Sequence, residues 1–254
     1  MNTKLLEKNE EIQICKFCKQ PLQKRTLKDF RGELRQVGWM DCQCEGAKKE
    51  REQREREERE RKKREEENRI ILRLQNGGVG EKYLNCRHEN SSEFIQSIMS
   101  GSSLYFYSKM TGTGKSYAGC AILREIAEKT NLTFRFVEAN ELLCSLFSEG
   151  ELFERCMGVN VLLIDDLGKE HTSNFFLSKL FELVSKRYNN ERPMIITSNF
   201  SMEELKTRMA NRVRKEPPDV ETIDAIYSRL YEMSQIYNFE GQDKRLRTKH
   251  ELQR

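Results

Sequence analysis

The sequence has no long apolar run and little excess of charge of either sign. Its aliphatic stretches, such as residues 161–164, fall far short of the roughly 20 residues that a membrane-spanning helix needs. Residues 1–14 mix lysine and glutamate and contain no uninterrupted apolar stretch of the kind found in secretory leaders. We therefore expect no membrane partner and a cytoplasmic location. The net charge of +4 permits contact with nucleic acid but does not by itself indicate it.

Charged residues are concentrated in one segment. Of the 254 residues, 37% are apolar and 34% are charged, which is more charge than a single globular domain usually carries. Residues 48–67 hold ten Lys or Arg and nine Glu, and no apolar residue lies between Lys48 and Arg69. Opposite charges at i,i+3 and i,i+4 support a solvated helix. We predict a charged helical linker over residues 48–69, because a stretch so nearly neutral is a poor nucleic-acid-binding arm.

Four of the eight cysteines form two close pairs near the N-terminus. Cys15 and Cys18 are separated by two residues, and Cys42 and Cys44, 23 residues further on, are separated by one. Two such pairs supply the four thiolates of a structural Zn²⁺ site, and a metal would stabilise a segment too short for much of a core. We predict a zinc-ribbon-like module over residues 1–47, the alternative being a flexible arm with four reduced thiols. The other cysteines are expected to be reduced and uninvolved: Cys86, Cys120, Cys144 and Cys156.

From residue 70 onward, short apolar runs alternate with longer segments of helical spacing. This pattern predicts an α/β domain over residues 70–254, with a mostly parallel sheet covered by helices on both faces. The predicted strands are residues 104–107, 133–137, 161–164, 194–198 and 235–239. The predicted helices are residues 116–129, 139–148, 173–190, 202–211 and 224–233.

A phosphate-binding loop is expected where the strand 104–107 turns into the next helix. Gly112 and Gly114 let successive backbone N–H groups point at phosphate oxygens, beside the positive end of the helix. Lys115 would contact the β- and γ-phosphates, and the Ser116 hydroxyl would bind Mg²⁺. The loop residues Thr111 and Thr113, with Tyr117, complete the candidate nucleotide contacts. Lys109 occupies the position that usually holds the first glycine of such a loop, so we expect an altered turn and an effect on nucleotide affinity.

Hydrolysis also needs an acidic site, which residues 161–166 supply on a strand predicted to neighbour the loop. Asp165, at the end of the predicted strand, would hold Mg²⁺ through water, and Asp166 would orient or deprotonate the attacking water. Asn199 follows the strand 194–198, at the sheet edge where ligands of open α/β sheets bind. In isolation the two aspartates would indicate a turn after the strand, and Asn199 a turn cap. Only the combination of the three motifs indicates a catalytic site.

The chain resembles the helicase-loader branch of the AAA+ ATPases, the DnaC and DnaI type of bacteria and phages. The resemblance covers roughly residues 80–247 and rests on four motifs: GTGKS at 112–116, LLIDDLGKE at 162–170, IITSN at 195–199 and SRL at 228–230. It implies that Asn199 is a sensor residue and that Arg229 is an arginine finger reaching a neighbouring subunit's ATP. The second sensor arginine of many AAA+ proteins has no clear counterpart, and Arg245 and Arg247 are weak substitutes. The cysteine pairs followed by a charged helix resemble the N-terminal module of phage members.

The resemblance implies an ATPase that loads a replicative helicase onto single-stranded DNA. In such families the N-terminal module docks on the helicase, and the ATPase domains assemble and close around the DNA. Two alternatives stay open: an AAA+ transposition helper of the IstB type, and an adaptor that binds nucleotide without hydrolysing it. Bound zinc would separate the first alternative from a loader, and measured turnover would separate the second.

Overall fold

The computed structural model describes residues 12–147, 150–170, 172–213, 217–241 and 243. The chain divides into two units, Met1–Glu67 and Asn68–Arg254, which are described separately below. Arg245 and Arg247, the weak candidates for a second sensor, lie outside the described residues.

The apolar runs of the second unit form a five-stranded sheet in which every pairing is parallel. The strands are β3 (Ser103–Tyr107), β4 (Phe134–Glu138), β5 (Val161–Leu167), β6 (Met194–Ser198) and β7 (Ser234–Asn238). Their order in the sheet is β4-β5-β6-β3-β7. The predicted α/β class with a parallel sheet is confirmed, and each predicted strand is present within a few residues of its expected bounds.

Alternate residues along β3, β4, β5 and β6 enter two separate cores, one on each face of the sheet. In β3, Leu104 and Phe106 belong to one core, whereas Tyr105 belongs to the other. Neighbouring residues of β5 and β6 divide in the same way. Strands β3, β5 and β6 are therefore buried on both faces, which explains why they appear in the sequence as continuous apolar runs, whereas the edge strand β7 is mostly exposed.

Helices cover both faces of this sheet. Those of the second unit are α2 (Ser91–Met99), α3 (Lys115–Lys129), α4 (Ala139–Ser145), α5 (Glu151–Gly158), α6 (Asn174–Asn189), α7 (Met202–Arg212) and α8 (Val220–Met233). A 3₁₀ turn, Glu81–Tyr83, precedes α2. The prediction omitted α2 and α5, ended α4 beyond Ser145 and began α8 four residues late. Helix α8 begins earlier because the Asp219 side chain accepts a hydrogen bond from the Thr222 N–H at 3.0 Å and caps its first turn.

The first unit contains an antiparallel hairpin and most of a long charged helix. The hairpin pairs β1 (Lys24–Lys28) with β2 (Leu34–Trp39), and neither strand was predicted. The helix α1 runs over Glu45–Asn76, and its last two turns, with the buried Ile70 and Leu74, belong to the second unit. Ion pairs at i,i+4 follow one another along α1, for example Arg59 with Glu55 and Lys62 with Glu58. No helix within the described residues is long and apolar enough to cross a membrane.

Two expectations about the acidic strand are wrong in detail. Strand β5 continues to Leu167, so Asp165 is not its last residue. The pairing with β6 is irregular between Ile164 and Leu167, where Asp166 has a left-handed backbone with φ 60°. Strand β5 also does not adjoin β3, because β6 lies between them. The end of β6 therefore lies between the acidic residues of β5 and the phosphate loop that follows β3.

Candidate nucleotide site and cysteine cluster

The candidate phosphate loop connects β3 to the first turn of α3 at the carboxyl edge of the sheet. Gly112 and Gly114 have φ values of 70° and 103°, a backbone region that strongly favours glycine. Gly114 precedes α3 directly, so the unpaired N–H groups of the 15-residue helix open onto the loop. A backbone of this form, at a helix N-terminus, fits an anionic ligand such as a nucleotide phosphate.

The side chains of the loop fit such a ligand in two respects. Lys115 is 6% exposed, and its Nζ donates to the carbonyl oxygen of Met110 at 3.3 Å. The Oγ1 atom of Thr113 is buried and has no hydrogen-bond partner among the described residues. Thr111 and Tyr117 are exposed, and the Tyr117 hydroxyl accepts a hydrogen bond from the Arg87 backbone N–H at 3.2 Å. The loop thus offers a buried ammonium and an unsatisfied hydroxyl.

Lys109 projects away from the loop into solvent. Its side chain is 77% exposed, and its Nζ lies 3.1 Å from Oε1 of Glu204 at the start of α7. The backbone N–H of Ser201, together with Lys109, holds the pKa of Glu204 below its usual range. Lys109, the residue that departs from the usual loop pattern, therefore forms an ion pair with α7.

Asp165 is buried at the carboxyl edge of the sheet, close to the start of α3. Its Oδ1 accepts a hydrogen bond from the Thr197 hydroxyl at 2.5 Å. Burial raises the pKa of Asp165, and hydrogen bonds from Thr197 and Ser116 only partly offset that effect. The Asp165 carboxylate and the Ser116 hydroxyl thus lie near each other, the pair of oxygen ligands expected for Mg²⁺ beside a phosphate loop.

Asp166 differs from its neighbour in being partly exposed. Its carboxylate Oδ2 lies 2.7 Å from Nζ of Lys169, and its backbone N–H donates to the Thr197 hydroxyl at 2.9 Å. Asn199 follows β6 directly and is half-buried. Since β5, β6 and β3 are adjacent parallel strands, Asp165, Asp166, Asn199 and the loop all lie at one edge of the sheet.

Arg229 lies elsewhere, on the face of α8 that packs against α6. Its guanidinium carbon is 4.9 Å from the centre of the Phe181 ring and 5.9 Å from that of Tyr188. Its Nη1 donates to the Ala225 carbonyl at 3.1 Å. Arg229 does not lie at the nucleotide site of its own chain. That it acts as an arginine finger at the site of a neighbouring subunit stays a prediction.

An unexpected carboxylate lies against the phosphate loop. A Cβ placed on Gly112 would come within 1.8 Å of Oδ1 of Asp243, so Asp243 fills the space beside this glycine. The sequence offered no signal for this contact, because Asp243 follows the last strand in a stretch without apolar periodicity.

Two hydroxyl residues of β6 were also missed. Thr197 bonds to both acidic residues, and Ser198 donates to the Leu167 carbonyl at 2.7 Å. Both side chains are fully buried in a strand that is otherwise apolar. Buried hydroxyls in such a strand are the signal that could have indicated their role.

The four N-terminal cysteines lie together in the first unit. Their sulfur atoms all lie within 4.8 Å of one another, with Cys15 and Cys44 at 3.7 Å and Cys18 and Cys42 at 3.4 Å. A tetrahedral Zn²⁺ with Zn–S bonds of about 2.3 Å requires sulfur separations of about 3.8 Å. The four thiols therefore fit a zinc ion, and within the described residues no other cluster of this kind occurs.

The thiol pKa values show that the cluster already favours one thiolate. Backbone N–H groups of Cys18 and Phe17 lower the pKa of Cys15 to about 6. The backbone N–H of Cys44 also lowers the pKa of Cys42. Hydrogen bonding to Cys18 and burial have a larger, opposite effect, so the pKa of Cys42 is raised to about 12. Binding of a cation would favour the deprotonated form of all four.

Asp165→Asn is expected to stabilise the fold while weakening Mg²⁺-dependent nucleotide binding. Because burial raises the pKa of Asp165 above its unfolded value, the folded state loses stability as pH rises through the interval between these two pKa values. At neutral pH the amide removes that cost, and each kcal/mol gained raises Tm by about 2–4 °C. Thermal unfolding from pH 4 to 8 should show a gain that shrinks at low pH. Asp166→Asn, at a partly exposed position, is the control, and a lower Tm of Asp165→Asn throughout would contradict the prediction.

Comparison with known proteins supports a nucleotide site. A family model described as IstB-like ATP binding protein matches residues 106–252. Among curated proteins, the chain is 28% identical to the replicative helicase loader DnaI of Bacillus subtilis over 151 residues, which are 57% of this chain and 48% of DnaI. It is 23% identical to the replicative helicase loader DnaC of Escherichia coli K12 over 157 residues, which are 54% of this chain and 64% of DnaC. The chain thus spans about half the length of the first relative and less than two thirds of the second.

Comparison with solved structures concerns the fold. A crystal structure of DnaI superposes with a TM-score of 0.50 at 23% identity, covering 61% of this chain and 80% of that one. The expected P-loop AAA+ fold is thereby confirmed. Since the family model matches more than half of the residues, the chain belongs to the family of IstB-like ATP-binding proteins.

Proposed function

We propose that this protein is an ATP-dependent loader that delivers a ring-shaped replicative helicase onto single-stranded DNA. The observation that carries the proposal is the glycine loop at the start of α3 with the buried Asp165 near Ser116, in a chain whose curated relatives are helicase loaders. We propose that ATP and Mg²⁺ bind at the carboxyl edge of the sheet and that Zn²⁺ binds to the cysteine cluster.

Each residue of the site has a proposed task in ATP hydrolysis. The loop N–H groups from Thr111 to Tyr117 hold the phosphates, and Lys115 neutralises charge on the β- and γ-phosphates. Ser116 and Asp165 hold Mg²⁺, which supplies further positive charge between the phosphates. Asp166 orients the attacking water once it is free of Lys169, and Asn199 contacts the γ-phosphate or that water.

The cysteine module is the proposed docking site for the helicase. Its hairpin and the adjoining turns expose apolar side chains that a domain of this size would otherwise bury: Leu27, Phe30, Leu34, Val37 and Met40. The Phe30 side chain is 90% exposed at the tip of the hairpin. Exposed apolar groups on a small module are typical of a protein-binding surface.

Single-stranded DNA is the proposed nucleic-acid ligand of the ATPase unit. Phe147 after α4 and Phe175 in α6 are both exposed, and their ring centres are 5.7 Å apart. Exposed aromatic rings are stacking platforms for unpaired bases. Phosphate contacts would make such binding weaken as salt rises.

Self-assembly through the ATPase unit completes the proposal. A single site has no cation opposite Lys115 among its proposed members, and Arg229 of a neighbouring subunit would provide one. Such fingers contribute about 10³–10⁵ in rate, so an isolated subunit would hydrolyse ATP slowly. To act in this way Arg229 would have to extend from its packing against Phe181.

The transposition-helper alternative is not favoured, because the curated relatives reported above are helicase loaders. The adaptor alternative, with nucleotide bound but not hydrolysed, rests on Lys109 in the loop and on Asp166, an aspartate at the position where a glutamate is usual. Turnover that Lys115→Ala abolishes would exclude it.

Capture and transfer of a helicase test the loader function. The tagged full-length protein, incubated with ATP, should retain the host's hexameric replicative helicase from a lysate. It should then release the helicase onto circular single-stranded DNA, and unwinding of an annealed strand measures the loading. Phe30→Ser should lose capture while nucleotide binding persists, and Leu72→Ser, an exposed apolar position in α1, is the matched control. Retention of a transposase in place of the helicase would contradict the proposal.

A further inference from the structure

Segment 166–170, which begins with the last two residues of β5, has an unusual backbone that several neighbouring groups hold in place. Asp166 and Gly168 both have positive φ values, 60° and 96°. For a residue other than glycine this conformation is costly and persists only where the surroundings impose it. A Cβ on Gly168 would lie 2.8 Å from Cδ1 of Leu205 in α7, so the segment passes directly against that helix.

Two arginines on one face of α7 bind the carbonyl groups of this segment. Nε of Arg208 donates to the Gly168 carbonyl at 2.6 Å. Nη1 of Arg212 donates to the carbonyls of Lys169 at 2.7 Å and of Glu170 at 2.6 Å. Three successive carbonyls are thus bound by residues one helical turn apart.

The buried Glu170 side chain fixes the segment from within. It is 2% exposed, and its Oε2 accepts a hydrogen bond from the Gly168 N–H at 2.8 Å. Burial raises the pKa of Glu170, and the nearby charges of Arg212 and Arg208 act in the opposite direction. The same arginines therefore bind the backbone and offset the cost of the buried carboxyl.

Arg208 also contacts the residue that follows Asn199. The guanidinium carbon of Arg208 is 4.2 Å from the centre of the Phe200 ring, and Phe200 follows Asn199. Arg208 therefore touches both the residue after the proposed sensor and the segment that begins with the proposed water-orienting Asp166.

We propose that Arg208 and Arg212 are positioning residues of the nucleotide site, which hold segment 166–170 so that Asp166 faces the reacting phosphate. This inference rests on the proposed ATPase function and assigns it two residues that do not touch nucleotide. Their loss leaves the phosphate loop intact, so nucleotide affinity is retained while the chemical step slows.

Arg212→Met is the decisive variant, and Arg192→Met is its matched control. Nη1 of Arg192 also donates to two carbonyls, those of Met157 and Gly158, at 2.9 and 2.7 Å, but these residues precede β6 and β5 and so lie at the opposite edge of the sheet from the site. Arg212→Met should lower kcat roughly 10- to 100-fold, the effect of misplacing a reacting group by about 1 Å. The dissociation constant for ATP should stay within about twofold, since the loop contacts are unchanged. Arg212→Lys, which can still donate to both carbonyls, should recover most of the rate.

Hydrogen exchange provides a readout that does not depend on turnover. The amides of Asp166 and Gly168 should exchange roughly five- to tenfold faster in Arg212→Met, as expected for the loss of one or two net hydrogen bonds. Equal rate losses in Arg212→Met and Arg192→Met, or unchanged exchange at both amides, would overturn the inference. Wild-type protein that binds ATP without hydrolysing it would instead refute the proposed ATPase, while the exchange data still report whether the arginines hold the segment.

Discussion

Lys115→Ala is expected to lower ATP affinity by roughly 100-fold or more and to abolish helicase loading. The ammonium would make charge-assisted hydrogen bonds to two phosphates, each worth about 1.5–3 kcal/mol, and alanine can replace neither. Lys115 lies almost fully buried in the loop, where its Nζ donates to the backbone carbonyl of Met110. We expect its replacement by alanine to leave the fold intact.

The measurement is titration of full-length protein with a fluorescent ATP analogue in the presence of Mg²⁺. Lys186→Ala removes a lysine from the exposed face of α6 and should bind as the wild type does. An unchanged Tm of Lys115→Ala in thermal unfolding would show that the variant is folded and that its loss of ATP binding is not caused by unfolding. Wild-type affinity in Lys115→Ala would refute the assignment of the loop.

Removal of zinc is expected to unfold the cysteine module. Structural Zn²⁺ sites of this type contribute about 10–16 kcal/mol of apparent binding free energy, far more than the few buried side chains of such a module can supply. Both hairpin strands are almost wholly exposed, so no core would hold them once the sulfur atoms separate. The purified protein should contain about one zinc per chain, as a four-thiolate site does.

Cys18→Ser and Cys144→Ser form a matched pair for this test. Cys18 belongs to the cluster, whereas Cys144 is an exposed cysteine of α4. Under reducing conditions Cys18→Ser should lose its zinc, helicase capture and the protection of the hairpin amides, while ATP binding by the second unit persists. Cys144→Ser should match the wild type in all four. A folded hairpin without metal would contradict the prediction.

The α/β unit, residues 68–254, could be predicted from sequence because its main signals are local. Runs such as residues 161–164 are buried on both faces, and the glycines of the loop stand in a recognisable order beside Lys115. The hairpin was missed because its strands, KRTLK and LRQVGW, are exposed and lack the alternation by which a half-buried strand is recognised.

The missed parts of the site depend on contacts between residues far apart in the chain. Arg208 and Arg212 bind carbonyls some 40 positions earlier, and any residue type offers the same carbonyl. No sequence pattern marks such an acceptor, so these arginines look like ordinary solvent-facing residues of α7. The irregularity at Asp166 was hidden for a related reason, since it depends on hydroxyls of β6.

The carboxylate of Asp243 would compete with a nucleotide phosphate for the space beside Gly112. A phosphate that contacts Gly112 must share that place with a like charge, which has to withdraw first. The apparent dissociation constant is then the intrinsic one divided by the fraction of molecules in which Asp243 has moved away. Any partner that captures this acidic residue would tighten nucleotide binding without touching the nucleotide.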